Sequence, residues 1–113
     1  MSLYADYILE HRGDCTIENA NGFATYRFLN NNATVYLVDI YVRPEARKSG
    51  AASDLADKVC EIARQKGAKE LLGTVVPSAR NSTASLKVLL GYGMELQSAS
   101  ADLIIFRKSL QER

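Results

Sequence analysis

Six consecutive residues have the composition of an anion-binding turn: Arg47-Lys48-Ser49-Gly50-Ala51-Ala52. They lie between an apolar stretch that ends at Val42 and an amphipathic stretch from Ala51 to about Lys66. A turn of small residues before a helix exposes backbone N–H groups, and the helix dipole strengthens their attraction for a phosphate. The run therefore indicates a phosphate or pyrophosphate site, although a glycine turn of this kind is more often purely structural.

Other features of the sequence exclude several classes of protein. Neither the Gly-x-x-x-x-Gly-Lys-Ser/Thr of a P-loop nor the Gly-x-Gly-x-x-Gly of a dinucleotide fold occurs. The net charge of +1 gives no general attraction to nucleic acid or to an anionic membrane. His11 is the only histidine, and Cys15 and Cys60 lack metal-ligand spacing, so we expect no metal site.

Two unpaired thiols, with no secretory leader and no apolar run of membrane-spanning length, indicate a cytoplasmic protein.

Asp39 is the candidate general base, because it is the only acidic residue inside the central apolar segment, Thr34 to Val42. Such a segment is typical of a strand covered on both faces. Burial there would favour the protonated form and so suit the carboxylate to accept a proton. An aspartate with a purely structural, hydrogen-bonded role is an equal alternative. Tyr36 and Tyr41 are expected to pack in the core, and Glu45 to be solvated.

The pattern of elements predicts a mixed α+β fold in one domain, residues 1–113. Helical spacing from Leu3 to Arg12 favours a short leading helix that Gly13 could end. The remaining order is β-β-β-α-β-α-β-β. The predicted segments after the leading helix are 15–19, 23–28, 34–42, 51–66, 71–76, 81–90, 94–97 and 103–108.

The turn and its flanks together resemble a known motif. Val42 and Pro44, then Arg47, Gly50 and Ala52, fill the Val-x-Pro and Arg/Gln-x-x-Gly-x-Gly/Ala positions of the acyl-CoA-binding motif in GNAT-superfamily N-acetyltransferases. The stretch from Ala84 through Gly93-Met94, and the ending from Phe106 to Leu110, are similar to later segments of that family. The resemblance covers about Val35 to Leu110.

This resemblance implies a GNAT-like fold, with a mixed, mostly antiparallel sheet, splayed strands and flanking helices. It also implies acetyl-CoA as co-substrate, a primary amine as acceptor, and direct attack in a ternary complex. The thioester would lie between strands 36–42 and 71–76, which diverge. The cofactor-binding residues implied are Ile40, Tyr41 and Val42 for the pantetheine arm, then Arg47, Lys48, Ser49, Gly50, Ala51, Ala52, Ser53 and Asn81.

The chain departs from the family pattern at three points. Leu89 occupies the position where the family often has a tyrosine that protonates the departing thiolate, and Tyr92 is expected to point elsewhere. The family's asparagine at the start of this helix is matched by Asn81 only with a shift of one residue. The usual pair of helices between the first two strands has no room, so the acceptor site would be shallow or completed by a second subunit in a homodimer. A non-catalytic CoA-binding or interaction module is the alternative reading.

Overall fold

A computed structural model of the protein describes residues 2–78 and 82–110. The elements follow the predicted order, with a leading helix before three strands. They are α1 (Leu3–Arg12), β1 (Cys15–Glu18), β2 (Gly22–Leu29), β3 (Thr34–Val42), α2 (Ala51–Gln65), β4 (Glu70–Val75), α3 (Ser82–Gly91), β5 (Glu95–Ser100) and β6 (Leu103–Ser109). A single 3-10 turn, Pro44–Ala46, follows β3.

Helix α1 ends at Gly13, as the sequence predicts, and its first turn is capped by a serine that the sequence analysis did not single out. The Ser2 hydroxyl accepts a hydrogen bond from the Ala5 N–H at 3.0 Å, which satisfies one of the unpaired donors of the first turn. Gly13 follows with φ +70, and its N–H bonds to the Leu9 carbonyl. A left-handed residue at this position ends a helix, and glycine adopts it without steric cost.

The six strands form one sheet in the order β1-β2-β3-β4-β6-β5. Neighbouring strands are antiparallel except β3 and β4, which are parallel. The sheet is therefore mixed and mostly antiparallel, as predicted. Helix α2 is the crossover that parallel neighbours require.

Strands β3 and β4 pair over three residues only. The last pair joins Tyr36 to Leu72, and beyond it the two strands diverge. The remaining residues of β3, 37–42, have no strand partner on the β4 side. This confirms the predicted splay and leaves backbone N–H and C=O groups facing an open gap.

Helix α2 covers one face of the sheet with an apolar stripe. Leu55, Val59 and Ala63 are almost fully buried and pack with Val35 and Leu71 in one core cluster. Burying one Leu or Val side chain stabilises the fold by roughly 1.5–3 kcal/mol. The charged positions of the helix stay in solvent, so the predicted amphipathic helix is confirmed.

Strand β3 contains a β-bulge that the sequence pattern did not show. Thr25 pairs with Asp39 and Tyr26 pairs with Leu37, so Val38 is an extra residue without a partner. Before the bulge Val35 and Leu37 belong to the core, whereas after it Val42 does. One extra residue moves every later side chain of the strand to the opposite face of the sheet.

Candidate functional site

The turn between β3 and α2 has the backbone geometry of an anion-binding loop. Lys48 and Gly50 both have left-handed conformations, with φ of +66 and +86. Gly50 is the N-cap of α2 and supplies no capping side chain. The first intrahelical bond runs from the Asp54 N–H to the Gly50 carbonyl at 3.0 Å. The N–H groups of residues 51–53 come before this first bond in the helix, so they have no partner within it. They point out of the helix N-terminus, where they can bind a phosphate.

The space in front of Gly50 is open. A Cβ atom built there would meet no heavy atom within 4 Å, while the backbone conformation would strain any other residue. Ala51 is buried against the core and Ala52 is half-buried, so neither side chain blocks the turn. The sequence-predicted cradle of small residues is therefore assembled.

Arg47 holds this turn against the end of β3. Its Nε donates to the Val42 carbonyl at 2.9 Å, and its guanidinium carbon lies 5.8 Å from the centre of the Tyr41 ring. The side chain thus closes the loop in addition to bringing charge near the turn. Ser49 also acts locally, because its hydroxyl donates to the Ala46 carbonyl. Lys48 is exposed at the turn.

A narrow groove runs along α2 from its first turn. Its walls come from β3, α2 and the end of α3, and they are mostly apolar. The lining residues are Leu37, Ile40, Ala52, Ser53, Ala56, Val88, Leu89, Tyr92 and Met94. The groove lies beside the part of β3 that no longer pairs with β4, so a thin flexible chain lying in it would be close to the unpaired backbone of β3.

The predicted strand positions divide between the two faces of the sheet. Ile40 lines the groove, Val42 is buried with its carbonyl held by Arg47, and Tyr41 is 45% exposed on the other face. The expectation that Tyr41 packs in the core is therefore wrong. Asn81, also predicted to bind cofactor, lies outside the described residues.

Asp39 is exposed, which corrects the expectation that it is buried in a strand covered on both faces. The bulge at Val38 is the reason. If the same residues ran through Val38 as a regular strand, Asp39 would follow Val35 and Leu37 onto the core face. The bulge instead places Asp39 with Tyr41 on the opposite face. Within the described residues its carboxylate makes no hydrogen bond or ion pair, so the structural alternative finds no support there either.

The same face carries a row of aromatic rings. Tyr4 of α1 lies 5.3 Å from Phe23 between ring centres, and Phe23 stacks on Tyr41 at 5.6 Å. Phe23 and Tyr41 also line an open cleft with the β1–β2 turn and the segment after β3. Glu45 lies at that cleft and is exposed, as expected, with a contact of 3.6 Å to Arg43.

At the point where β3 and β4 diverge, two hydroxyl groups meet. The Tyr36 hydroxyl lies 2.9 Å from Thr74 Oγ1, on the face opposite the groove. Sequence reasoning placed Tyr36 in the core and did not single out Thr74. No local signal could have joined them, because the residues are 38 apart and their meeting depends on the register of two parallel strands.

Leu89 and Tyr92 both line the groove, contrary to the expectation that Tyr92 points elsewhere. The Leu89 side chain lines the groove and carries no hydroxyl group that could protonate a thiolate. The Tyr92 hydroxyl donates to Asp57 Oδ1 on α2 at 2.5 Å and lies 3.6 Å from the buried Cys60 sulfur. Lys108 Nζ donates to the Tyr92 carbonyl and lies 4.5 Å from the ring centre.

This arrangement keeps the Tyr92 phenol protonated. Burial, and then the hydrogen bonds to Asp57 and Cys60, raise the pKa of Tyr92 well above its usual value. Burial likewise raises the pKa of the Cys60 thiol. Tyr92 is thus an uncharged side chain whose hydrogen bond links the end of α3 to α2. Cys60 is a core residue, as its position in the helix predicts.

No helix among the described residues is long and apolar enough to cross a membrane. Over residues 2–78 and 82–110, no three His, Cys, Asp or Glu side chains are grouped so that they could hold a metal ion.

Comparison with known proteins gives consistent matches. The sequence profile of the acetyltransferase (GNAT) family matches residues 4–92. A thialysine N-epsilon-acetyltransferase of Sus scrofa is 38% identical over 64 residues, which is 54% of this chain and 35% of that protein. The match therefore spans about a third of the length of that relative.

Solved structures share the fold. A protein of Desulfovibrio desulfuricans assigned to the GNAT family of acetyltransferases superposes with a TM-score of 0.77, at 21% identity, over 94% of this chain and 76% of its own. The paia N-acetyltransferase of Thermoplasma acidophilum, solved with coenzyme A, gives a TM-score of 0.68 at 19% identity, over 79% and 53% of the two chains.

Proposed function

The chain belongs to the acetyltransferase (GNAT) family, and on that premise we propose that it transfers the acetyl group of acetyl-CoA to a primary amine. The amine attacks the thioester directly while both substrates are bound. The observation that carries the proposal is the divergence of β3 and β4 next to an uncapped helix N-terminus. These two features form one continuous track, with an anion site at one end and an open gap in the sheet at the other.

The donor half of the site follows from this track. The N–H groups of residues 50–53 and the charge of Lys48 bind the pyrophosphate. The pantetheine arm lies in the apolar groove and pairs with the backbone of Ile40 to Val42 as an added strand would. Arg47 keeps the turn in place through the Val42 carbonyl. The solved relative with coenzyme A supports this choice of co-substrate.

Asp39 is the proposed base on the acceptor half. An amine is protonated at neutral pH and must lose a proton to attack, and a carboxylate on the acceptor face can take that proton or hold the ammonium group beforehand. The bulge presents Asp39 on the same face as Tyr41 and the aromatic row. A primary amine carried on an aliphatic chain is the acceptor class that we propose first, since a curated relative is named for thialysine.

The first experiment is calorimetry of the purified protein with acetyl-CoA, followed by thiol-release assays with a panel of amines. The panel contains thialysine, lysine, spermidine, n-butylamine and kanamycin. We expect micromolar binding and turnover of at least one aliphatic amine. Absence of binding at about 1 mM acetyl-CoA, an affinity weaker than about −4 kcal/mol, would contradict the proposal.

A second candidate function is a CoA-binding module without transfer activity. Leu89 favours it, because no hydroxyl lies at the position from which the family often protonates the leaving thiolate. The panel separates the two functions, since this candidate predicts acetyl-CoA binding with no acetylated amine by mass spectrometry.

Three broader features complete the proposal. Residues 1–113 act as one domain, the protein works in the cytoplasm without a metal, and two copies associate. Two unpaired cysteines support the cellular location. The six exposed residues of β5 lie along a free sheet edge, which supports pairing with a second copy. Light scattering of the purified protein tests the dimer.

A further inference from the structure

Strands β3 and β4 present different chemistry on the two faces of the gap between them. The groove face is apolar and lies under α2 and α3. The opposite face carries Tyr36 and Thr74 at the apex, where strand pairing stops. Their neighbours along the strands, Val35, Leu37 and Val75, point to the core face. A group that comes through the gap from the groove therefore meets these two hydroxyls on the far side.

The two hydroxyl groups have unused hydrogen-bonding capacity. Each oxygen carries one proton and two lone pairs, and the contact of 2.9 Å between them uses one proton and one lone pair. In the part of the chain that the structure describes, neither hydroxyl has a second hydrogen-bonding partner. One O–H donor and several lone pairs thus remain at a half-buried position beside the gap.

We propose that the Tyr36–Thr74 pair binds the attacking nitrogen of the acceptor, with Tyr36 as a catalytic residue. This inference rests on the proposed acetyl transfer. If the cofactor occupies the groove on the α2 side, the amine must arrive from the other face, where the pair stands. Thr74 holds the phenol, and the Tyr36 oxygen accepts a hydrogen bond from an N–H of the amine.

The hydrogen bond gains strength as the reaction proceeds. The nitrogen attacks the thioester carbon, the C–N bond forms, and the C–S bond breaks with its electron pair on sulfur. During attack the nitrogen becomes positively charged, and hydrogen bonds to charged groups are the stronger ones. The proton that the nitrogen then loses equals the proton that converts the thiolate to a thiol, so no further reactant is needed. Asp39, downstream of the bulge on the same face, can take that proton first.

The test compares Tyr36→Phe, Thr74→Val and Thr74→Ser in steady-state kinetics, with the panel amine that the wild type acetylates fastest. We expect Y36F to lower kcat/KM for the amine by about 10- to 100-fold, as for loss of a hydrogen bond to a charged group, while KM for acetyl-CoA changes less than about threefold. T74V should lose about 3- to 10-fold, because the phenol keeps its oxygen but not its partner. T74S should restore the wild-type value.

Two controls distinguish this role from a structural one. Tyr7→Phe, on the exposed side of α1, should change neither constant. Melting curves should show that Y36F and T74V remain folded at the assay temperature. The double variant should be no slower than Y36F alone, since the two hydroxyls act as one unit.

Several outcomes would overturn the inference. One is a Y36F enzyme within about twofold of the wild type in kcat/KM for the amine. Another is a loss matched by an equal rise in KM for acetyl-CoA, which would make the pair a structural brace of the gap. A wild type that transfers no acetyl group contradicts the proposed function as well, whereas an active wild type with an unaffected Y36F contradicts this inference alone.

Discussion

The two faces of β3 arise in different ways. The groove face depends on features close together in the chain: the end of β3, the turn from Arg47 to Gly50, and the first turns of α2. The opposite face depends on distant features, because Tyr36 meets Thr74 across a parallel register and Asp39 is exposed by a bulge defined against β2. Residues close together in the chain therefore build the groove face, whereas the opposite face depends on how distant strands pair.

The largest expected effect comes from placing an acid in the turn. Gly50→Glu should lower acetyl-CoA affinity by at least about 100-fold, or about 2.7 kcal/mol, because a carboxylate would occupy the pyrophosphate position. Gly67→Glu is the matched control. Gly67 follows the other end of α2 with φ +89 and has the same open space at its Cβ position. Both substitutions place a non-glycine residue in a left-handed conformation, which costs a similar strain of about 1–2 kcal/mol. Equal affinity losses in the two would show that strain, not the anion site, explains the effect.

Deletion of Val38 tests whether the bulge opens the gap. The deletion removes the extra residue, so Leu37 and Asp39 become neighbours in a regular strand and every other side chain keeps its face. We expect far-UV circular dichroism to remain unchanged. Acetyl-CoA affinity should fall about tenfold or more, about 1.4 kcal/mol, because a straighter β3 can extend its pairing with β4. A folded deletion variant with wild-type affinity would show that the divergence does not need the bulge.

Arg47 offers a smaller test of how the local face is held. Arg47→Lys keeps the charge but loses the planar group that reaches the Val42 carbonyl and Tyr41. We expect R47K and R47M to lower acetyl-CoA affinity alike, by about 3- to 10-fold, or roughly 0.7–1.4 kcal/mol. Calorimetry of Lys48→Met, which removes a charge and no such bond, gives the contrast. Full affinity in R47K with a loss in K48M would assign the effect to charge.

Tyr92→Phe should have the smallest effect and one that depends on pH. The pKa of Tyr92 is raised in the folded protein. The stability that the Tyr92 hydroxyl contributes is therefore present below pH 10, the usual pKa of tyrosine. As the pH rises past 10, the unfolded chain releases this proton while the folded one retains it. Stability then falls by up to about 1.4 kcal/mol per pH unit.

Denaturant unfolding of wild type and Y92F measures that contribution. We expect Y92F to be less stable by about 0.5–1.5 kcal/mol at pH 8, the range for one hydrogen bond, with the two curves converging by about pH 11. Parallel pH curves for the two proteins would mean that Tyr92 is not held by Asp57.

Much of the fold could be predicted because its signals are local. Gly13 marks the end of α1, and the spacing of Leu55, Val59 and Ala63 marks the buried face of α2. The sequence also predicted the glycine turn at Gly50 and its place directly before α2. The errors concern β3, whose nearly continuous apolar composition predicts a strand covered on both faces, with Asp39 and Tyr41 buried in it. Both are exposed.

The amino-acid sequence by itself determined the family, the order of elements and the turn at the N-terminus of α2, since each rests on residues within a few positions of one another. Only the tertiary structure decided which side chains share a face beyond the bulge, and which hydroxyls meet where β3 and β4 separate. The physical reason is that strand register is a property of paired chains. A shift of one residue reverses every later side chain, and no short segment carries that information.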